Sequence, residues 1–147
     1  MIEDIKVYTG SDNFGEDYSM IHLGGYILPV DEYKPSREYD KKLKIPVSKI
    51  IIRYPLSNKA EITISGVKTM NDLLEDIVKG YQEVYRMEEE STEKEASKIC
   101  DEIPGCFLIN RERTNGVFGI WGHFIDDLAI HTVYLHKNGY VTIGVDS

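Results

Sequence analysis

Ala60-Glu-Ile-Thr-Ile-Ser-Gly-Val-Lys-Thr-Met-Asn-Asp-Leu-Leu-Glu-Asp-Ile-Val-Lys-Gly-Tyr-Gln-Glu-Val-Tyr-Arg86 sets the fold class, because two patterns lie side by side in it. From Ala60 to Gly66 polar and apolar residues alternate, as they do in a half-buried strand. From Thr69 the spacing changes. Met70, Leu73, Leu74, Ile77, Val78, Tyr81, Val84 and Tyr85 recur every three or four residues and form one apolar stripe of a helix. Thr69 is placed to cap that helix, and Asp72, three residues on, meets the positive end of its dipole. Glu75, Asp76, Lys79, Gln82, Glu83 and Arg86 fall on the opposite face, so the helix is expected to pack on a sheet and turn its charged side to water.

Upstream, Val47 to Tyr54 reads as a strand, with Ile50-Ile51-Ile52 as the β-branched run of a strand buried on both faces. Leu56 to Lys59 then turns the chain into the strand at Ala60, giving a hairpin. Ile2, Ile5, Val7 and Tyr8 suggest a first strand, and Tyr26 to Pro29 a brief one closed by its proline. Between them and Val47, the polar segment from Asp31 to Lys44 is expected to be an exposed loop.

Downstream, the acidic run from Glu88 to Glu95 has no apolar stripe and reads as a break in the helix. Thr92 and Glu95 have capping-box spacing for a second, shorter helix carrying Ala96, Ile99, Cys100 and Ile103, stopped by Pro104-Gly105. Cys106 to Ile109 reads as a strand, Arg111 to Gly116 as a polar turn, and Val117 to Trp121 as an antiparallel return. The closing hairpin joins Leu128 to His136 with Tyr140 to Val145 across Lys137-Asn138-Gly139. The expected fold is α+β: a single domain over residues 1–147, with an antiparallel sheet of about six strands against one long and one short helix.

Composition narrows the function. A formal net charge of −8 argues against direct binding of nucleic acid, which needs a basic face to displace phosphate counterions. No apolar run approaches the ~20 residues that cross a bilayer, and the start has no basic region followed by an apolar one. An intracellular, soluble protein is therefore expected, in which Cys100 and Cys106 are reduced rather than bridged. The ten tyrosines suit either a core or a contact surface.

The chemistry-bearing residues cluster near the end. His123, Asp126 and His131 are the types that hold zinc or iron, and a carboxylate such as Asp127 could orient an imidazole. Equally, a histidine between Gly122 and Phe124 can bond backbone in a tight loop, and Asp126-Asp127 can cap a turn. Cys106 with His123 is a conceivable nucleophile pair, although an apolar setting makes a thiol inert. Gly116, Gly119 and Gly122 lack the lysine and the strand-to-helix context of a phosphate loop. Trp121, with Phe118 and Phe124, can line a ligand groove or plug a core. Trp121, His123, Asp126 and Asp127 are thus the candidate ligand-binding residues; no cofactor is implied.

The phrases Gly119-Ile-Trp-Gly-His-Phe-Ile-Asp-Asp-Leu128, Tyr140-Val-Thr-Ile-Gly-Val-Asp-Ser147 and Thr69-Met-Asn-Asp-Leu-Leu74 resemble uncharacterised proteins of large DNA viruses, the marseillevirus and mimivirus groups. The resemblance spans residues 60 to 147 and implies a viral setting, in the host cytoplasm or the virion, without implying an activity. The expected function is a non-enzymatic structural or adaptor protein, homodimeric, with viral or host proteins as further partners. The alternative is a small metal-dependent hydrolase built on His123, Asp126 and His131.

Overall fold

A computed structural model of the chain describes residues 3–6, 10–11, 17–18, 28–31, 40, 42–95 and 111–146. Strands β1 (Glu3–Lys6), β2 (Gly10–Ser11), β3 (Asp17–Tyr18), β4 (Leu28–Pro29), β5 (Lys49–Ile52) and β6 (Ala60–Thr63) precede helix α1 (Met70–Ser91). A 3-10 turn (Ile125–Asp127), β7 (Ala129–Leu135) and β8 (Tyr140–Asp146) follow. The architecture is α+β.

The body of the sheet runs β7-β8-β5-β6, with β1 and β4 laid end to end along the outer edge of β7. The expectation of a wholly antiparallel sheet is corrected: β8 runs parallel to β5, with Ile50 opposite Val141, so the sheet is mixed. A turn made by Lys137, Asn138 and Gly139 produces this. Gly139 has φ +81°, its carbonyl accepts from Ser48 N at 2.9 Å, and a Cβ there would come within 2.8 Å of the Pro46 carbonyl. The tip of the β7-β8 hairpin therefore docks on the chain entering β5, and β8 can only leave it in the direction of β5.

Helix α1 begins as its sequence requires. The Thr69 hydroxyl accepts from Asp72 N at 3.2 Å, and the Asp72 carboxylate accepts from Thr69 N at 3.1 Å, a reciprocal capping box. Its apolar stripe is buried, and Leu73, Leu74 and Ile77 join Ile50, Ile52, Ile130, Val133, Leu135 and Val141 in one core. Gly80 lets the helix lie close to β6, since a methyl group there would fall on the Ile62 side chain. The triple isoleucine run is buried throughout, as a strand covered on both faces should be.

Two expectations change downstream of the helix. No break occurs at Glu88: α1 continues to Ser91, where Thr92 N closes the last turn on Glu88 O at 2.9 Å. Residues 117–121 do not form a strand but an irregular loop, for the reason given below. The second helix, the strand at 106–109, both cysteines and most of the 31–44 loop lie outside the described residues.

Replacing Thr69 by Ala is expected to lower unfolding stability by about 1 kcal/mol through loss of the cap. Gly139→Ala should cost more, at least about 1–2 kcal/mol, because it adds a left-handed backbone penalty to a clash. Urea unfolding followed by circular dichroism measures both; a Gly139→Ala protein as stable as the native one would refute the account of the hairpin tip.

Candidate functional site

The site is built where the C-terminal half of α1 meets the chain from Arg111 to Phe124. Continuing the helical spacing past Tyr81 and Tyr85 brings Glu88 to the same inward face, and its side chain is fully buried. A buried carboxylate is costly unless every lone pair is used. Here five donors converge on it. Oε1 accepts from Phe118 N at 2.9 Å and Gly119 N at 3.2 Å. Oε2 accepts from Gly116 N at 3.0 Å, from Ile120 N at 3.2 Å and from the Thr114 hydroxyl. The loop is a concave nest of amides, and the carboxylate of Glu88 is the anion it holds.

The remaining amides of the loop are bound by neighbours on or just past the helix end. Val117 N donates to Ser91 Oγ at 3.0 Å and Asn115 N to Thr92 Oγ1 at 3.1 Å, so each N–H from residue 115 to 120 is taken by a side chain between 88 and 92. Carbonyls on the other side of the loop are used too: Phe118 O accepts from Ser57 N and Asn58 N, at 3.0 and 2.9 Å. Strand pairing would need those same amides, which is why residues 117–121 form a loop. Gly116 is required here, because a Cβ would collide with the Glu88 carboxylate and with Ser91 Oγ.

Arg111 is the buried counterpart, with 2% of its surface exposed. Nη1 donates to Ile120 O at 2.8 Å and Nη2 to Thr114 Oγ1 at 3.3 Å, while the guanidinium lies 5.6 Å from the Tyr85 ring centre and 5.8 Å from that of Phe124. Thr114 thus relays between the two charges, accepting from Arg111 and donating to Glu88. Burial alone would push the Glu88 carboxyl up. The hydrogen bonds from Thr114 and from the amides of Phe118, Ile120 and Gly116 outweigh burial and hold it below its ordinary value of 4.5.

Two tyrosines complete the clamp. Tyr81 donates its hydroxyl to Tyr54 O at 3.1 Å and Tyr85 to His123 O at 3.0 Å, and burial raises both phenols well above their usual range. Next to them Gly122, at φ +78°, makes a γ-turn in which His123 N returns to Trp121 O at 2.9 Å. That turn separates the two aromatic neighbours. Trp121 remains 37% exposed, edge-on to Tyr54 with ring centres 5.3 Å apart, whereas His123 is buried with its ring centre 5.9 Å from that of Tyr54. Burial lowers the His123 imidazole below its ordinary value, with Asp127 opposing the shift, so the ring is neutral at pH 7.

The other sequence candidates fall elsewhere. Asp127 caps the 3-10 turn, accepting from Phe124 N at 3.1 Å, and Asp126 beside it is exposed. His131 belongs to β7, with Nδ1 2.7 Å from Thr132 Oγ1 and Nε2 3.7 Å from Asp146 Oδ1. Among the described residues no three His, Cys, Asp or Glu side chains are grouped to hold a metal ion, so His123, Asp126 and His131 are not assembled as a centre. Cys106, the suggested partner of His123, lies outside the described residues. Sequence reading missed Glu88, Arg111 and Thr114, which it placed in a charged run and a polar turn. The available signal was the stripe itself, since Glu88 follows Tyr81, Val84 and Tyr85 at spacing of three and four. No helix among the described residues is long and apolar enough to cross a membrane.

Comparison of the chain with protein-family models, with curated proteins and with solved structures gave no match.

Glu88→Ala leaves five donors without their acceptor and Arg111 without its counter-charge, an expected loss of about 3–5 kcal/mol. Acid should act the same way. Because the folded carboxyl is more acidic than the unfolded one, its contribution is fully present above the ordinary value of 4.5. It declines as pH falls through the depressed folded value. Urea unfolding of native protein and Glu88→Gln between neutral pH and about pH 3 checks this. Equal acid sensitivity of the two would contradict the role given to Glu88.

Proposed function

We propose that the chain is a non-enzymatic interaction protein: a homodimer that presents the 117–121 loop to another protein. The observation that carries this reading is the contrast between the loop's two sides. Its backbone is held by side chains of α1, chiefly the buried Glu88, while Val117 and Trp121 stand outward at 53% and 37% exposure. The Ser91 hydroxyl ties this loop to the helix, donating to Met87 O and accepting from Val117 N. A large aromatic group on a fixed backbone loses little freedom on binding, and such residues dominate protein interfaces. We further propose a viral setting, on the likeness of residues 60–147 to proteins of large DNA viruses, with viral or host proteins as partners and the virion as one destination.

Light scattering on a sizing column, with metal analysis of the same peak, tests the assembly. A metal-free dimer is expected, and a monomer carrying stoichiometric metal would overturn this reading. The contact surface is tested by a photo-crosslinking side chain at Val117 or, as control, at Lys137 in cells expressing the chain. A discrete adduct from position 117, absent from 137 and lost with Trp121→Ala, is expected. The same adducts from both positions would exclude the loop as the docking surface.

A further inference from the structure

Helix α1 ends on charge of the wrong sign for its own dipole, and although Asp72 suits the dipole at its start, lysines gather beside that end. Its last turn holds Glu88, Glu89 and Glu90 with no basic residue, and Glu93 and Glu95 follow. At the other end Lys68 precedes the cap. Lys42 bridges to Thr69, and Leu43 N donates to Lys68 O at 2.9 Å, which gathers Lys42, Lys44 and Lys68. Together with Leu43, Ile45 and Val67 these lysines line a shallow surface groove. Cations beside a helix N-terminus and carboxylates beside its C-terminus disfavour an isolated helix. The reverse end of a second such helix relieves both.

The exposed stripe between the ends has matching order. Glu75, Lys79, Glu83, Arg86 and Glu90 alternate in sign along it, paired within the helix as Glu75 with Lys79 and Glu83 and Glu90 with Arg86. Turn one copy antiparallel to another about a two-fold axis level with Gly80 and Tyr81. Lys79 then comes level with Gln82 and Glu83 of the second copy, Glu75 with its Arg86, and Lys68 with its Glu93. A parallel pair would set like charges opposite each other instead. With 22 residues the helix is about 33 Å long, so both end contacts form together.

We infer that two copies of the chain pair through antiparallel α1 helices, each seating its acidic segment 89–95 in the lysine groove beside the other's helix N-terminus. This rests on the homodimeric reading above and specifies its interface. Leu43, Ile45 and Val67 supply an apolar floor along which lysine stems can lie. Exposed ion pairs add little each and are screened by salt, so the dimer is weak and electrostatic.

Charge exchange in the full chain tests the arrangement. Lys42→Glu with Lys68→Glu makes both ends acidic; Glu93→Lys with Glu95→Lys makes both basic. Each double variant alone should be monomeric where the native chain is dimeric by light scattering, with an unchanged circular dichroism spectrum, and an equimolar mixture should recover the dimer. Raising ionic strength to about 1 M, where screening acts within about 3 Å, should weaken the native dimer at least about tenfold. Zero-length carbodiimide coupling of mixed light and heavy isotope-labelled native protein should join Lys68 of one copy to Glu93 of another, and needs no variant. A native dimer that survives in both variants and gives no such crosslink would overturn this interface and leave the homodimer standing. A native chain monomeric at every concentration would overturn both.

Discussion

A single buried carboxylate holds the irregular half of this molecule in place. Glu88 sits at the end of the helix stripe, where a leucine would simply have extended the core, and instead faces a loop whose amides have no strand to pair with. Each side needs the other: the charge needs donors to be tolerated away from water, and the amides need an acceptor. Four loop amides and one hydroxyl meet that need within 3.2 Å. The shape of the 114–120 loop, the glycine at 116 and the outward position of Trp121 all follow from that mutual requirement.

The same helix joins this loop to the sheet. Apolar residues of its first turns lock it onto β5, β7 and β8. Further along, the stripe changes character, because Tyr81 and Tyr85 bury their rings and spend their hydroxyls on carbonyls of residues 54 and 123. Arg111 closes the arrangement from the loop side, stacked near Tyr85 and Phe124 and linked to Glu88 through Thr114. Polar tips on an apolar face let one helix serve as a wall of the core and as a scaffold for nonrepetitive backbone.

That division shapes the functional reading. Histidine and aspartate residues that look collected in the sequence are dispersed by the fold: His123 into a buried neutral position, Asp127 into a cap, and His131 onto a strand. Beside the exposed Arg113, Asn115 and Asp126, this region also brings the apolar Val117 and the aromatic Trp121 to the surface, on a backbone with little freedom. The outer face of α1 is different again, a band of alternating charge between a basic and an acidic end. An interaction protein with two distinct surfaces, one for its own copy and one for a partner, is the reading these features support together.

The chain's sequence by itself determined the α+β class, the capped helix and its buried stripe, the buried triple isoleucine strand and the hairpin at Asn138-Gly139. Each depends on local periodicity or on turn residues with fixed backbone needs, which a linear pattern records. Tertiary structure alone decided that β8 runs parallel to β5, because that depends on where the Gly139 turn docks, far away in sequence at Pro46 and Ser48. It also decided the fate of Glu88. As one letter in an acidic run it reads as solvated; inside the fold, amides from about thirty residues downstream make it a fully buried charge, and no local rule specifies a partner at that separation.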